Sequence, residues 1–150
     1  MIKAPIEHCF DLSRSIDFHK QSVAFSKEEA IDGVTSGLID LGQQVEWRAR
    51  HFGIWLKLRS EITASERPIY FQDAMVKGLF RHFRHDHIFQ QQKQGTLMVD
   101  KIDFQSPVFL LGKFVDVIFL RGYLRKLLEA RNQALKTALE SDQWQRYLRP

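Results

Sequence analysis

From Gly42 onward the sequence alternates apolar and polar residues with a period of two, in five successive segments. These are QVEWRARHF (44–52), WLKLRSEIT (55–63), IYFQDAMV (69–76), FRHFRHDHIF (80–89) and TLMVDKIDF (96–104). A strand sends successive side chains to opposite faces, so each segment carries one largely apolar and one charged face. The stretches FGIW, SERP, KGL and QQKQG between them are turn signals. The pattern predicts an antiparallel meander of five strands with one face turned to a core.

The period changes on either side of the meander. Leu120, Leu124, Leu127, Leu128, Leu135, Ala138 and Leu139 keep a helical stripe. Ser106 and Pro107 suit its start, and the helix is expected to run to about Ser141, leaving 142–150 as a short tail. Near the N-terminus Pro5 can open a helix with Ile6, Cys9, Phe10 and Ser13 on one face. A second short helix fits SIDFHKQSV (15–23), and a short strand fits Glu28 to Ile31. Gly33, Gly37 and Gly42 punctuate a loop. The fold class is therefore α+β: an antiparallel sheet covered by a long C-terminal helix, as a single domain over residues 1–141.

A chain of 150 residues with 44% apolar content can bury a core and still enclose a cavity. Cys9 is the single cysteine, so no disulfide forms within the chain and a reducing, cytoplasmic setting is expected. MIKAPIEHCFDLSRS has no apolar leader core, and VFLLGKFVDVIFL is interrupted by Lys113 and Asp116, so no membrane insertion is expected. The net charge of +4 is spread and interleaved with acids, which argues against nucleic acid as a partner.

Hairpin registers place the histidines of FRHFRHDHIF. Turns near Gly53–Ile54, Glu66–Arg67, Leu79 and Gln92–Lys93 set Trp47, Ser60, Asp73, His85 and Asp100 in one lateral row on the apolar face. Val45, Ile62, Phe71, His87 and Met98 form one flanking row. Ala49, Leu58, Met75, Phe83 and Ile102 form the other. Arg48, Arg59, Gln72, Arg84 and Lys101 point the opposite way, to solvent. His82 has the parity of that outer face, so the three histidines do not converge on one ion. No metal is expected, although His85, His87 and a carboxylate could supply ligands. His8 and Cys9 are adjacent on a helix and do not face each other, so no Cys–His nucleophile is expected. Glycine-rich phosphate loops and nucleophile elbows are absent, and no cofactor is expected.

The segments IKAPIEHCFDL, VEWRARHFG, FQDAMVKGLFRHFRHDHIF, GTLMVDKIDFQSP and LLGKF, with Arg131 in the helix, resemble the SRPBCC superfamily, the helix-grip fold of START domains, the birch-pollen-allergen group and polyketide cyclases. The nearest resemblance is to bacterial ligand-binding SRPBCC, or cyclase/dehydrase-like, proteins. It implies a curved antiparallel sheet, two short helices between the first two strands and a ligand site between sheet and C-terminal helix. Relatives carry a full first strand before the APIE segment, where only MIK stands here. The last strand is then expected either to pair across a homodimer or to be covered by other segments of the chain.

Two readings of the Asp73–His85–Asp100 row stand side by side: a polar anchor or acid–base group in an apolar pocket, or a hydrogen-bonded row that satisfies only itself. Trp47, Ser60, Phe71, Asp73, Met75, Phe83, His85, His87, Met98, Asp100, Phe114 and Ile118 are the candidate ligand-binding residues. The functional expectation is binding of a hydrophobic, lipid- or polyketide-like small molecule with a polar head. The alternatives are a cyclase/dehydrase-type enzyme, with His85 or His87 as acid–base catalyst oriented by Asp73 or Asp100, and an interaction module of a nucleotide-sugar-epimerase-like partner.

Overall fold

The computed structural model describes residues 1–106 and 113–148, with the side chains of 113–117 excepted. Helix α1 (Ile6–Ser13) follows Pro5 and buries Ile6, Cys9, Phe10, Leu12 and Ser13. Helix α2 (Ile16–Ser22) is capped by Ser15, whose hydroxyl accepts the Phe18 N–H at 3.2 Å. Six strands follow: β1 (Glu29–Gly33), β2 (Gln44–His51), β3 (Ile54–Glu66), β4 (Tyr70–Lys77), β5 (His82–Gln92) and β6 (Gly95–Gln105). They pair antiparallel in the order of the chain. Helix α3 (Lys113–Leu139) crosses the concave face. Of the expected helix start, Ser106 is in irregular backbone after β6, and Pro107 lies outside the described residues.

Three of the four hairpin registers differ from expectation by two residues. Phe52 and Gly53, at φ 53° and 75°, form a two-residue turn that pairs His51 with Ile54. Trp47 therefore faces Leu58, and Ser60 faces Val45. A bulge between Ile62 and Ala64 brings Asp73 opposite Ile62, with Ser60 opposite Met75. Asp73 does pair with His85. The β5–β6 turn closes at Gln92–Gly95, so Asp100 faces His87 rather than His85. A slip of two preserves the side on which each residue lies, so the expected faces survive although the rows do not.

The outer face is half-covered by its own ion pairs. Arg59 reaches Glu46 at 2.9 Å and also pairs with Asp32; Asp86 accepts from Tyr70 and Gln72, each at 2.7 Å. This keeps Arg59, Gln72 and Arg84 from full exposure, while Arg48 and Lys101 are exposed as expected. On the inner face Val45, Ile62, Phe71 and Phe89 are buried, whereas Trp47, Leu58, Met75 and Phe83 are only half-buried.

That difference divides the interior in two. Under α1, α2 and the C-terminal end of α3 lies a packed core. Phe10 is completely buried there, edge-on to Phe71 and Phe89, and Leu135, Ala138 and Leu139 close it from above. The segment expected to be a tail joins this core. A 3-10 turn (Asp142–Trp144) and a helical turn, α4 (Gln145–Leu148), set Trp144 against His8 at 4.1 Å and Tyr147 against Phe18 at 5.4 Å. Under the N-terminal half of α3 the space is open.

At the other end of the sheet, Ile2 makes one antiparallel bridge with Thr96, N–H to carbonyl in both directions at 2.9 and 2.8 Å. Gly95, at φ 137°, permits this approach; a Cβ there would stand 2.1 Å from the Ile2 carbonyl oxygen. The sheet ends at β6, whose strand partner is β5. Among the described residues no helix is long and apolar enough to cross a membrane.

Candidate functional site

A cavity of about 450 Å³ lies between the concave face of the sheet, the α1–α2 junction and α3. Its walls are mainly apolar: Trp47, Leu58, Ile62, Phe71, Phe83 and Ile102 from the sheet, and Leu120, Leu124, Leu127 and Leu128 from the helix. Phe52, Ile54 and Leu79 line its mouth and are exposed there, with Phe119 packed on Phe52 at 5.4 Å. A second depression of about 770 Å³, over Lys3, Pro5 and Gly95, is open to solvent and holds none of the candidate residues.

One wall is polar. His85 and His87 alternate along β5 onto the inner face, between Asp73 on β4 and Asp100 on β6. The two directed hydrogen bonds are diagonal. His87 Nε2 lies 2.9 Å from Asp73 Oδ2, and His85 Nε2 lies 3.0 Å from Asp100 Oδ1. His85 Nδ1 is 3.7 Å from Asp73 Oδ2. His87 Nδ1 is 2.9 Å from Asp100 Oδ1 but outside a well-directed hydrogen-bond geometry. Asn132 of α3 donates to Asp100 Oδ2 at 2.6 Å, and Arg131 donates to the Ser13 carbonyl at 3.0 Å. The His87 ring stacks on Phe71 at 4.0 Å.

Burial penalises charge throughout this cluster, and the geometry decides who keeps it. His87 is pushed above the ordinary histidine value, because Asp100 and Asp73 outweigh the cost of its burial. His85 is held below that value by burial and by the neighbouring charge on His87. Burial also opposes the carboxylates, yet His85 and His87 keep Asp100 far below the usual carboxylate range. Asp73 is lowered as well, chiefly by its hydrogen bond from His87. His87 is thus the ring of the two that holds a second proton more readily, between two carboxylates and near the guanidinium of Arg131.

A second polar group lies elsewhere on the cavity wall. His19 Nε2 is 2.7 Å from Glu28 Oε2, and Ser26 donates to Glu28 Oε1 at 3.2 Å. His51 is hydrogen-bonded to the Tyr123 hydroxyl, and the His19 ring lies against Trp47. Burial would raise the Glu28 carboxyl, but the bond from His19 and the proximity of His51 hold it below its ordinary value.

Of the twelve candidate ligand-binding residues, Trp47, Ser60, Phe71, Asp73, Phe83, His85 and His87 line the cavity. Asp100 stands behind the histidines. Met98 packs beneath α1, its sulfur 3.8 Å from the Ser13 hydroxyl. Met75 is half-buried beside Gly78. Ile118 is 71% exposed and turns away. The Phe114 side chain lies outside those described. Arg121 is exposed, and His82 is solvent-facing beside Asp103. The alternation missed Arg131, Asn132 and the His19–Glu28–His51–Tyr123 group, whose members come from separate elements. The buried acid and histidines of that group have no shared spacing in the sequence.

The sheet, the grip on α3 and the two short helices define the helix-grip fold. The same fold is found in solved structures of low sequence identity. TTHA0849 from Thermus thermophilus matches with a TM-score of 0.66 and 17% identity, covering 95% of this chain and 91% of that one. Ara h 8.0201 matches with a TM-score of 0.64 and 11% identity over 92% of this chain and 91% of its own. Ginseng major latex-like protein 151 from Panax ginseng gives 0.64 and 13%, over 93% of each chain. No family model matches the sequence, and no curated protein matches it.

Proposed function

We propose that the protein binds a hydrophobic small molecule, lipid- or polyketide-like, whose polar head meets the Asp73–His85–His87 wall. The supporting observation is the cavity. Protein interiors are close-packed, and natural chains do not keep hundreds of cubic ångströms of apolar space without use. A volume of about 450 Å³ falls in the range of small-molecule pockets, and an apolar lining with a few convergent polar groups is their usual chemistry. Trp47 and Leu58 on the sheet and Leu124 on the helix would hold the apolar body.

Native mass spectrometry of protein purified from its own host tests this. A co-purifying lipid-like mass is expected. Leu124→Trp fills the cavity without touching the polar wall; it is expected to lower occupancy while the protein stays folded. Occupancy unchanged by that substitution would overturn the reading, and turnover of a polyketide-like substrate would replace it with the enzyme reading. The outer edge of β6 further suggests a homodimer formed by strand pairing, which sedimentation measures directly.

A further inference from the structure

Asp73, His85 and His87 each offer a ligating atom, and these atoms lie within 4.8 Å of one another. Asp73 Oδ2 is 2.9 Å from His87 Nε2 and 3.7 Å from His85 Nδ1. Ligand atoms around a tetrahedral zinc with bonds of about 2.0–2.1 Å stand roughly 3.3 Å apart; the two Asp73 spacings lie on either side of that value, and the widest spacing in the trio, up to 4.8 Å, would have to close on binding. Asp73, with a side chain 25% exposed, leaves one side of the trio open to the cavity.

The nitrogens on the far side carry the argument further. His85 Nε2 and His87 Nδ1 lie 3.0 and 2.9 Å from a single atom, Asp100 Oδ1. Asp100 is 3% exposed and its other oxygen is fixed by Asn132. Metal-bound histidines almost always turn their second nitrogen to such a partner, which sets tautomer and ring orientation. Here one buried carboxylate backs both rings, while their opposite nitrogens face a second carboxylate at the cavity.

We propose that Asp73, His85 and His87 form a three-ligand site for a divalent first-row transition metal, backed by Asp100 and Asn132, with the open coordination position facing the cavity. Two imidazoles and one carboxylate with an open position are a donor set used by zinc and by iron(II). With both imidazoles neutral as ligands, two carboxylates and Arg131, the site carries one positive charge once the ion is bound. An anionic oxygen donor, such as a carboxylate or enolate of the bound molecule or a hydroxide, then closes both the charge and the coordination shell. The metal site stands whether or not an organic molecule occupies the cavity.

Untagged full-length protein, stripped with chelator and then freed of it, is titrated with Co²⁺ while visible absorption is followed, and Zn²⁺ is used in competition. One equivalent of Co²⁺ is expected to bind with visible ligand-field bands that Zn²⁺ abolishes. Asp73→Asn and His85→Ala are expected to weaken Co²⁺ binding by about tenfold or more, and His82→Ala to leave it unchanged. No stoichiometric uptake by the wild type overturns the proposal. So does unchanged affinity in a folded Asp73→Asn or His85→Ala protein, or loss of binding in His82→Ala. Should both ligand variants unfold, proton NMR of the Co²⁺-loaded wild type decides. Two hyperfine-shifted, exchange-protected imidazole N–H signals, one from each ring held against Asp100, support the site; their absence refutes it.

Discussion

The cavity has two polar groups, and they are built in opposite ways. Asp73, His85, His87 and Asp100 come from three adjacent strands, each side chain fixed by the ladder on either side. His19, Glu28, His51 and Tyr123 come from α2, the turn before β1, β2 and α3. The first group stays assembled as long as the sheet does. The second exists only while α2 and the N-terminal half of α3 remain docked over an open space. Both bury a carboxylate against imidazole, yet they should differ in stability and in how they respond to solvent.

The largest expected effect tests the sheet-borne group. Asp100→Ala removes the buried carboxylate shared by both rings and leaves Asp73 as the remaining counter-charge for His87 and Arg131. Removing one partner of a buried pair costs about 3–5 kcal/mol, so urea unfolding of the metal-free variant should show a loss in that range. A loss under about 1 kcal/mol would mean that the cluster is wetter than its 3% exposure implies.

Glu28→Gln tests the other group, and a smaller loss of about 2 kcal/mol at neutral pH is expected for a hydrogen bond to a charged group. Its pH dependence gives a second handle. The folded-state pKa of Glu28 is depressed, so its stabilisation is fully present above the unfolded value of about 4.3. It is lost as pH falls from there through the folded value. The difference between wild type and Glu28→Gln should therefore hold from pH 7 to about 5 and shrink in more acidic solution. A difference that grows on acidification would reverse the assignment of charge. The smallest effect belongs to His82→Ala, below about 0.5 kcal/mol. That side chain is 46% exposed and its pair with Asp103 is on the outer face.

What could be read from the sequence follows the same division. Strand parity repeats every two residues, so it located Asp73, His85, His87 and Asp100 on the inner face and His82 on the outer one. It did so even though turns and a bulge shifted three registers by two. The register itself depended on the Phe52–Gly53 turn, whose first residue gives no glycine or asparagine signal for its positive φ. Diagonal pairing was beyond it: parity says which side chains share a face, and ring geometry decides that His87 reaches Asp73 and His85 reaches Asp100. Glu28 and Tyr123 stand 95 residues apart in sequence, and only the docking of α3 brings them to one wall. The Trp144 and Tyr147 contacts escaped for a related reason. Two single helical turns are too short to show a periodic stripe, although their aromatic rings seal the packed end.

Phe52 holds a left-handed backbone conformation at the mouth of the cavity, where glycine or asparagine would sit more comfortably. The cost for an ordinary residue is about 1–2 kcal/mol. Its ring lies 4.6 Å from Tyr123 and 5.4 Å from Phe119, so the strained turn latches the β2–β3 hairpin to α3. Phe52→Gly relieves the backbone and removes the latch together. Thermal stability should hold or rise, while the residence time of a bound molecule should shorten. On the proposed binding function, the hairpin tip would then govern how quickly the bound molecule exchanges, separately from how firmly the protein is folded.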